Sequence, residues 1–193
     1  MTHEANDMLR AEADALLRSG LSDALSRYGE VCPVGSYALG LMTWRDLDLH
    51  VVRETAAPDL FFAVGARIAS ILKPHRMHFR DERVAATKGL PLGLYWGVYL
   101  GDERAGAWKI DVWATDRAGF DSSHEFAKRL AARLDPETRE AILRIKAACW
   151  RHPEYRRGFS SADVYAAVLD RGIRTPETFW TALQSAKGIR ALE

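Results

Sequence analysis

The sequence predicts an α+β fold, a small mixed or antiparallel sheet with flanking helices followed by a helical C-terminal unit. Three observations lead there. Short β-branched and aromatic runs with two-residue alternation cluster in the first two thirds of the chain, and apolar spacings of three and four residues fill the last third. Of 193 residues, 48% are hydrophobic and 27% charged, ordinary proportions for a folded chain with one large or two small cores. No repeat or low-complexity tract interrupts the pattern. We expect a first domain over 1–118 and a helical one over 119–193.

The elements follow in order. Leu9, Ala13, Leu16, Leu17, Leu21, Ala24, Leu25 and Tyr28 mark an amphipathic helix from about Glu4 to Tyr28, with Gly20 placed to bend or split it. Val31 to Val34 reads as a first strand, near an edge because Pro33 cannot donate to a ladder. A short helix is expected from Ser36, and a strand over Leu47 to Val52. Pro58 opens a helix with Phe61, Val64, Ile68, Ile71 and Leu72 on one face, which Lys73-Pro74 ends. Arg76 to Phe79 is a candidate strand, and Asp81 to Gly89 is loop-like. Leu92–Leu100 and Trp108–Trp113 form a hairpin across a Gly-rich turn. Ser122-Ser123-His124-Glu125 has the capping-box pattern of a helix start. Asp135-Pro136 starts another helix, and Ser161 to Leu169 and Thr175-Pro176 to Leu183 complete the helical part.

The formal net charge of +1 gives no global argument for nucleic-acid or membrane binding. Cys32 and Cys149 read as two reduced core residues, and no Cys/His cluster suggests zinc. The polar start at Met1-Thr2-His3 lacks the pattern of a signal peptide, and no apolar run is long enough to span a bilayer, so a cytoplasmic protein is expected.

The chemistry concentrates in three places. Val34-Gly35-Ser36 is a small turn carrying a hydroxyl. Nine residues further on, Asp46-Leu47-Asp48-Leu49 alternates acid and aliphatic, so that on a strand both carboxylates share one face. Ile110-Asp111-Val112 adds a lone acid on a later strand. Adjacent carboxylates repel unless a cation or a proton intervenes, and Mg²⁺ suits oxygen ligands. If the two strands are neighbours, the three acids make a site for two divalent ions.

These three pieces, in this order and spacing, resemble the nucleotidyltransferase superfamily of DNA polymerase beta, in its small bacterial-type members, over roughly residues 30 to 115. The resemblance implies transfer of a nucleoside monophosphate from a nucleoside triphosphate, with ATP expected, to an acceptor hydroxyl, releasing pyrophosphate. It implies that Asp46 and Asp48 hold Mg²⁺ or Mn²⁺, that Asp111 completes the catalytic site and helps deprotonate the acceptor, and that Gly35 and Ser36 bind the β- and γ-phosphates. Many small members carry a serine before the first aspartate and an arginine soon after the Gly-Ser pair. Here Arg45 precedes Asp46 and Tyr37-Ala38 follow Ser36, and Arg45 is the expected substitute for the missing charge.

Each residue also has a plainer reading. Asp46 and Asp48 alone would be solvated acids at a strand entrance, Asp111 a partner for Lys109, and Ser36 a helix N-cap. His50 shares the face of Asp48 and is read as a surface or satisfied histidine before a ligand. Trp44, Tyr37 and Trp113 are candidates to stack on a base, with packing the commoner role. Arg139, Arg144, Lys146, Arg151, Arg156 and Arg157 form either a solvated face or a positive wall for triphosphate or an acceptor. The acceptor is expected to be a small molecule or a protein hydroxyl, with nucleic acid disfavoured. A non-catalytic nucleotide-binding or regulatory module and an antitoxin-like protein-modifying partner are the alternatives.

Overall fold

The computed structural model describes residues 2–192; Met1 and Glu193, the outer limits of the two expected domains, lie outside them. Strands β1 (Glu30–Val34), β2 (Asp46–Val52), β3 (Arg76–Asp81), β4 (Leu94–Tyr99) and β5 (Lys109–Thr115) form one five-stranded sheet in the order β1-β2-β5-β4-β3. β2 and β5 run parallel and the other neighbours antiparallel, so the sheet is mixed. Pro33 lies on an edge strand, as its missing donor requires.

Around the sheet lie α1 (Thr2–Leu16), α2 (Ser22–Ser26), α3 (Gly35–Leu39), α4 (Pro58–Leu72), the short α5 (Glu82–Ala85), α6 (Arg117–Ala131), α7 (Pro136–Cys149), α8 (Ser161–Arg171) and α9 (Pro176–Lys187). The expected first helix is split at Gly20. A π turn over Leu17–Leu21 joins α1 to α2, and Gly20 takes φ 101° there, a value a side chain would oppose. The expected helix start at Ser122 is wrong. α6 begins earlier because the Asp116 carboxylate accepts from Gly119 N at 2.7 Å, a cap that precedes the serines. Ser123, inside the helix, donates back to Gly119 O at 3.2 Å instead. Asp135 and Thr138 build the capping box of α7, with Pro136 at its first turn.

Two apolar clusters hold the fold. One packs α1, α2 and α4 on the sheet, through Leu47, Leu49 and Val51 of β2, Ile110 and Val112 of β5, and Phe61 and Ile68 of α4. Each such side chain contributes about 1.5–3 kcal/mol by leaving water. The other joins α6, α7, α8 and α9 through Ile142, Ile145, Cys149, Val164, Val168 and Phe179, and it takes in Leu41 and Trp44 from the loop before β2. Among the described residues no helix is long and apolar enough to cross a membrane.

Candidate active site

The register of β2 on β5 sets Asp48 opposite Asp111 and Asp46 opposite Lys109. Alternation sends Leu47, Leu49, Ile110 and Val112 into the first core and leaves all three acids on the other face. One carboxylate oxygen from each of Asp46, Asp48 and Asp111 lies within 4.8 Å of the others. That separation and the hard oxygen donors fit a divalent ion such as Mg²⁺. The cradle is tight on its outer side. Gly35 has φ 62°, and a Cβ added there would stand 2.3 Å from Asp48 Oδ2. Only glycine lets the turn approach the acids this closely.

Sequestering like charges together has an electrostatic cost. Burial, with Asp46 and Asp111 close by, pushes the Asp48 carboxyl up to about 8. Burial and Asp111 also raise Asp46, against the pull of Lys109. Burial alone would depress Lys109, but Asp46 and Asp111 more than offset it and hold the ammonium above the ordinary lysine value. Lys109 Nζ donates to Asp111 Oδ2 and lies 3.4 Å from Asp46 Oδ1. The Tyr95 hydroxyl, from β4, donates to Asp111 Oδ1 at 2.7 Å. Arg156 faces the same acids: burial disfavours its charge, yet Asp46 and Asp111 raise its pKa. Arg104, at the tip of the β4–β5 hairpin, fixes the segment that carries Arg156. Its guanidinium donates to the carbonyls of Trp150 at 2.5 Å and Tyr155 at 3.0 Å.

On the other flank, Lys146 Nζ donates to Ser36 Oγ at 2.7 Å and to Leu41 O at 2.6 Å. Its side chain is buried beside the Tyr165 ring. A cleft of about 270 Å³ opens between the Gly35-Ser36 turn, Asp46 and Asp48 on one side and Phe126, Leu130, Ser161 and Tyr165 of α6 and α8 on the other. A hydroxyl at the acid-lined mouth of an apolar cleft, with a buried ammonium behind it, can meet phosphate oxygens, and the apolar wall can take the rest of a ligand.

Asp46, Asp48, Asp111, Gly35 and Ser36 are thus brought together. Arg45 is not among them. Its guanidinium is held by Glu12 of α1, at 2.6 Å and 2.9 Å, and by Gly106 O at 3.2 Å. Strand alternation explains this, because Arg45 and Asp46 leave the chain on opposite faces. The local positive charge comes from Lys109, Lys146 and Arg156 instead. His50 is buried next to Phe120, and burial holds it at about 4, so it is a neutral packing residue. The expected base-stacking aromatics pack elsewhere: Trp44 on Trp150, Trp113 on Tyr95, and Tyr37 with its hydroxyl on Asp14. Phe126 and Tyr165 line the cleft in their place.

No protein-family model matches the sequence, and no curated protein does. Solved structures do match. The Cid1 poly(U) polymerase with Mg and 3′-dATP bound is similar at TM-score 0.60 and 16% identity, over 84% of this chain and 49% of that one. A cytoplasmic RNA terminal U-transferase gives TM-score 0.58 and 16% identity over 85% and 49%. Cid1 in a second study, of its structural plasticity and RNA terminal uridylyl transferase activity, gives 0.59 and 18% over 86% and 48%. The chain spans about half the length of these enzymes, and the likeness is one of fold. The five-stranded mixed sheet with its flanking helices is the fold this chain shares with these poly(U) polymerase and terminal U-transferase structures.

Proposed function

We propose that this chain is a metal-dependent nucleotidyltransferase that moves a nucleoside monophosphate from a nucleoside triphosphate to an acceptor hydroxyl and releases pyrophosphate. The observation that carries the reading is the convergence of Asp46, Asp48 and Asp111 on neighbouring parallel strands beside the Gly35-Ser36 turn. Asp46 and Asp48 would hold the divalent ion. When bound, such an ion supplies charge neutralisation at the phosphates and eases loss of the acceptor proton. Ser36, oriented by the buried Lys146 ammonium, would hold the outer phosphates, and the Phe126–Tyr165 wall would receive the nucleoside. Asp111, oriented by Tyr95 and Lys109, takes the proton of the acceptor hydroxyl as the new oxygen–phosphorus bond forms and the bond to the β-phosphate oxygen breaks. The contribution of the protein is positioning and electrostatics.

The structures this chain resembles are named for adding uridylate to RNA ends, which brings an RNA 3′ hydroxyl into the acceptor set beside small molecules and protein hydroxyls. The expectation that nucleic acid is disfavoured finds no support in them. ATP is the first nucleotide to test and UTP the second. The assay is pyrophosphate release and label transfer with Mg²⁺, α-labelled nucleotides and a panel of acceptors that includes short RNA. Activity that survives in both Asp46→Ala and Asp48→Ala proteins would refute the mechanism.

A further inference from the structure

Lys109 stands where a metal-binding site would not ordinarily keep a lysine. It lies two residues before Asp111 on β5 and opposite Asp46 in the β2–β5 register, so its side chain is directed onto the acidic face. Its side chain is 1% exposed. Its ammonium contacts Asp111 and Asp46 together, bridging one edge of the acid triangle. Asp111 is engaged on both oxygens, by Tyr95 on Oδ1 and by Lys109 on Oδ2. Among the described residues no hydrogen bond reaches the Asp48 carboxylate, which faces the cleft beside Gly35.

Geometry and charge then count the ions. With Asp111 held on both oxygens, Asp46 and Asp48 are the donors left in the triangle for one small cation, whose ligands lie about 2.0–2.1 Å from it. A second ion would need the Asp46–Asp111 edge that the ammonium already bridges, and the two positive charges would repel at contact distance. Lys109 already offsets part of the charge of the three carboxylates, with Arg156 facing them too, so the deficit left for metal is smaller than three bare acids would give. Resting on the nucleotidyltransferase reading above, we propose that Lys109 is a resident cation that takes the place of one of the two metal ions. The site then accepts a single divalent ion, on the Asp46–Asp48 edge. Lys109 is a positioning residue in this scheme, holding Asp111 toward the acceptor while the divalent ion serves the nucleotide.

The test counts ions without relying on turnover. The whole protein is equilibrated with Mn²⁺ and the α,β-methylene analogues of ATP and UTP, bound manganese is measured by equilibrium dialysis, and its electron paramagnetic resonance spectrum is recorded. We expect one Mn²⁺ per wild-type chain with the spectrum of an isolated ion. Lys109→Met should bind two, with the exchange-coupled spectrum of a pair about 3.5–4 Å apart. Lys109→Arg, which keeps the charge, should return to one. Two ions in the wild type, or one in both wild type and Lys109→Met, would overturn the proposal and leave the enzyme reading standing. No bound ion in any form would overturn both. The wild-type count decides the matter even if Lys109→Met does not fold.

Discussion

Asp48 offers the most direct physical test of the site, because its strain can be read from stability alone. Its carboxyl is raised from the ordinary aspartate value of 3.8 to about 8 by burial and by Asp46 and Asp111. The sign follows. Below the unfolded value both states are protonated and nothing is lost; as pH rises toward 8 the unfolded chain releases its proton and the folded one holds it, so stability falls across that interval. The part of this shift that falls between pH 5 and pH 8 corresponds to about 4 kcal/mol. Asp48 borders a cleft that water enters, so roughly half of that, about 2 kcal/mol, is the expected reading after screening. For a chain of this size this is about 4–8 °C in Tm. Asp48→Asn keeps the shape and removes the charge. In metal-free buffer the variant should therefore gain about 2 kcal/mol on the wild type between pH 5 and pH 8. Millimolar Mg²⁺ should erase the difference by stabilising only the wild type. Thermal and urea unfolding across this range decides it. A wild-type-to-variant difference that does not change with pH would mean that Asp48 titrates as in water, and the electrostatic account of the site would be wrong.

Three further outcomes follow from the same geometry. Gly35→Ala places a Cβ 2.3 Å from Asp48 Oδ2 at φ 62°, so it should lose about 1–3 kcal/mol of stability and bind Mn²⁺ more weakly, as titration calorimetry would report. Lys146→Met removes the donor at Ser36 and Leu41, and should weaken nucleotide binding by about 1.5–3 kcal/mol, roughly tenfold or more, measured by fluorescence titration. Burial pushes the Cys149 thiol up to about 12, so iodoacetamide at pH 8 should modify only the part-exposed Cys32 in the folded protein and both cysteines in urea, as intact mass would show.

What could be read in advance divides along a physical line. Alternation is local, so the common face of Asp46 and Asp48, and of Lys109, Asp111 and Trp113, was legible from spacing. That β2 and β5 are parallel neighbours was not, because pairing across a long crossover depends on tertiary packing. Lys146 was half legible. It falls at helical spacing between Ile142 and Cys149, on the buried face of α7, yet its charge suggested a solvated wall. Arg45 misled because its partner, Glu12, comes from a helix far earlier in the chain. Arg156 gave no periodic signal at all, since it sits at φ 71° in a loop shaped by Arg104. Phe126 and Tyr165 were hidden by the same ambiguity that exposed Trp44: an aromatic in a sequence does not say which of two cores it joins.

The two cores divide the chemistry between them. The acids and Lys109 stand on strands whose opposite face anchors the first core, so their mutual geometry is as rigid as the sheet. The other two cations, Lys146, which is buried, and Arg156, come from α7 and the segment after it, which are anchored in the second core. Neither cluster alone assembles a phosphate site: the sheet would present carboxylates offset only by Lys109, and the helices an ammonium with no hydroxyl to orient. The loop carrying Leu41 and Trp44 joins them, because both side chains lie in the second core while the next residues enter β2. Charge balance in this protein is thus a property of how the helical part is seated on the sheet. A ligand that spans Ser36 and Asp48 would report on that seating before it reports on any single residue.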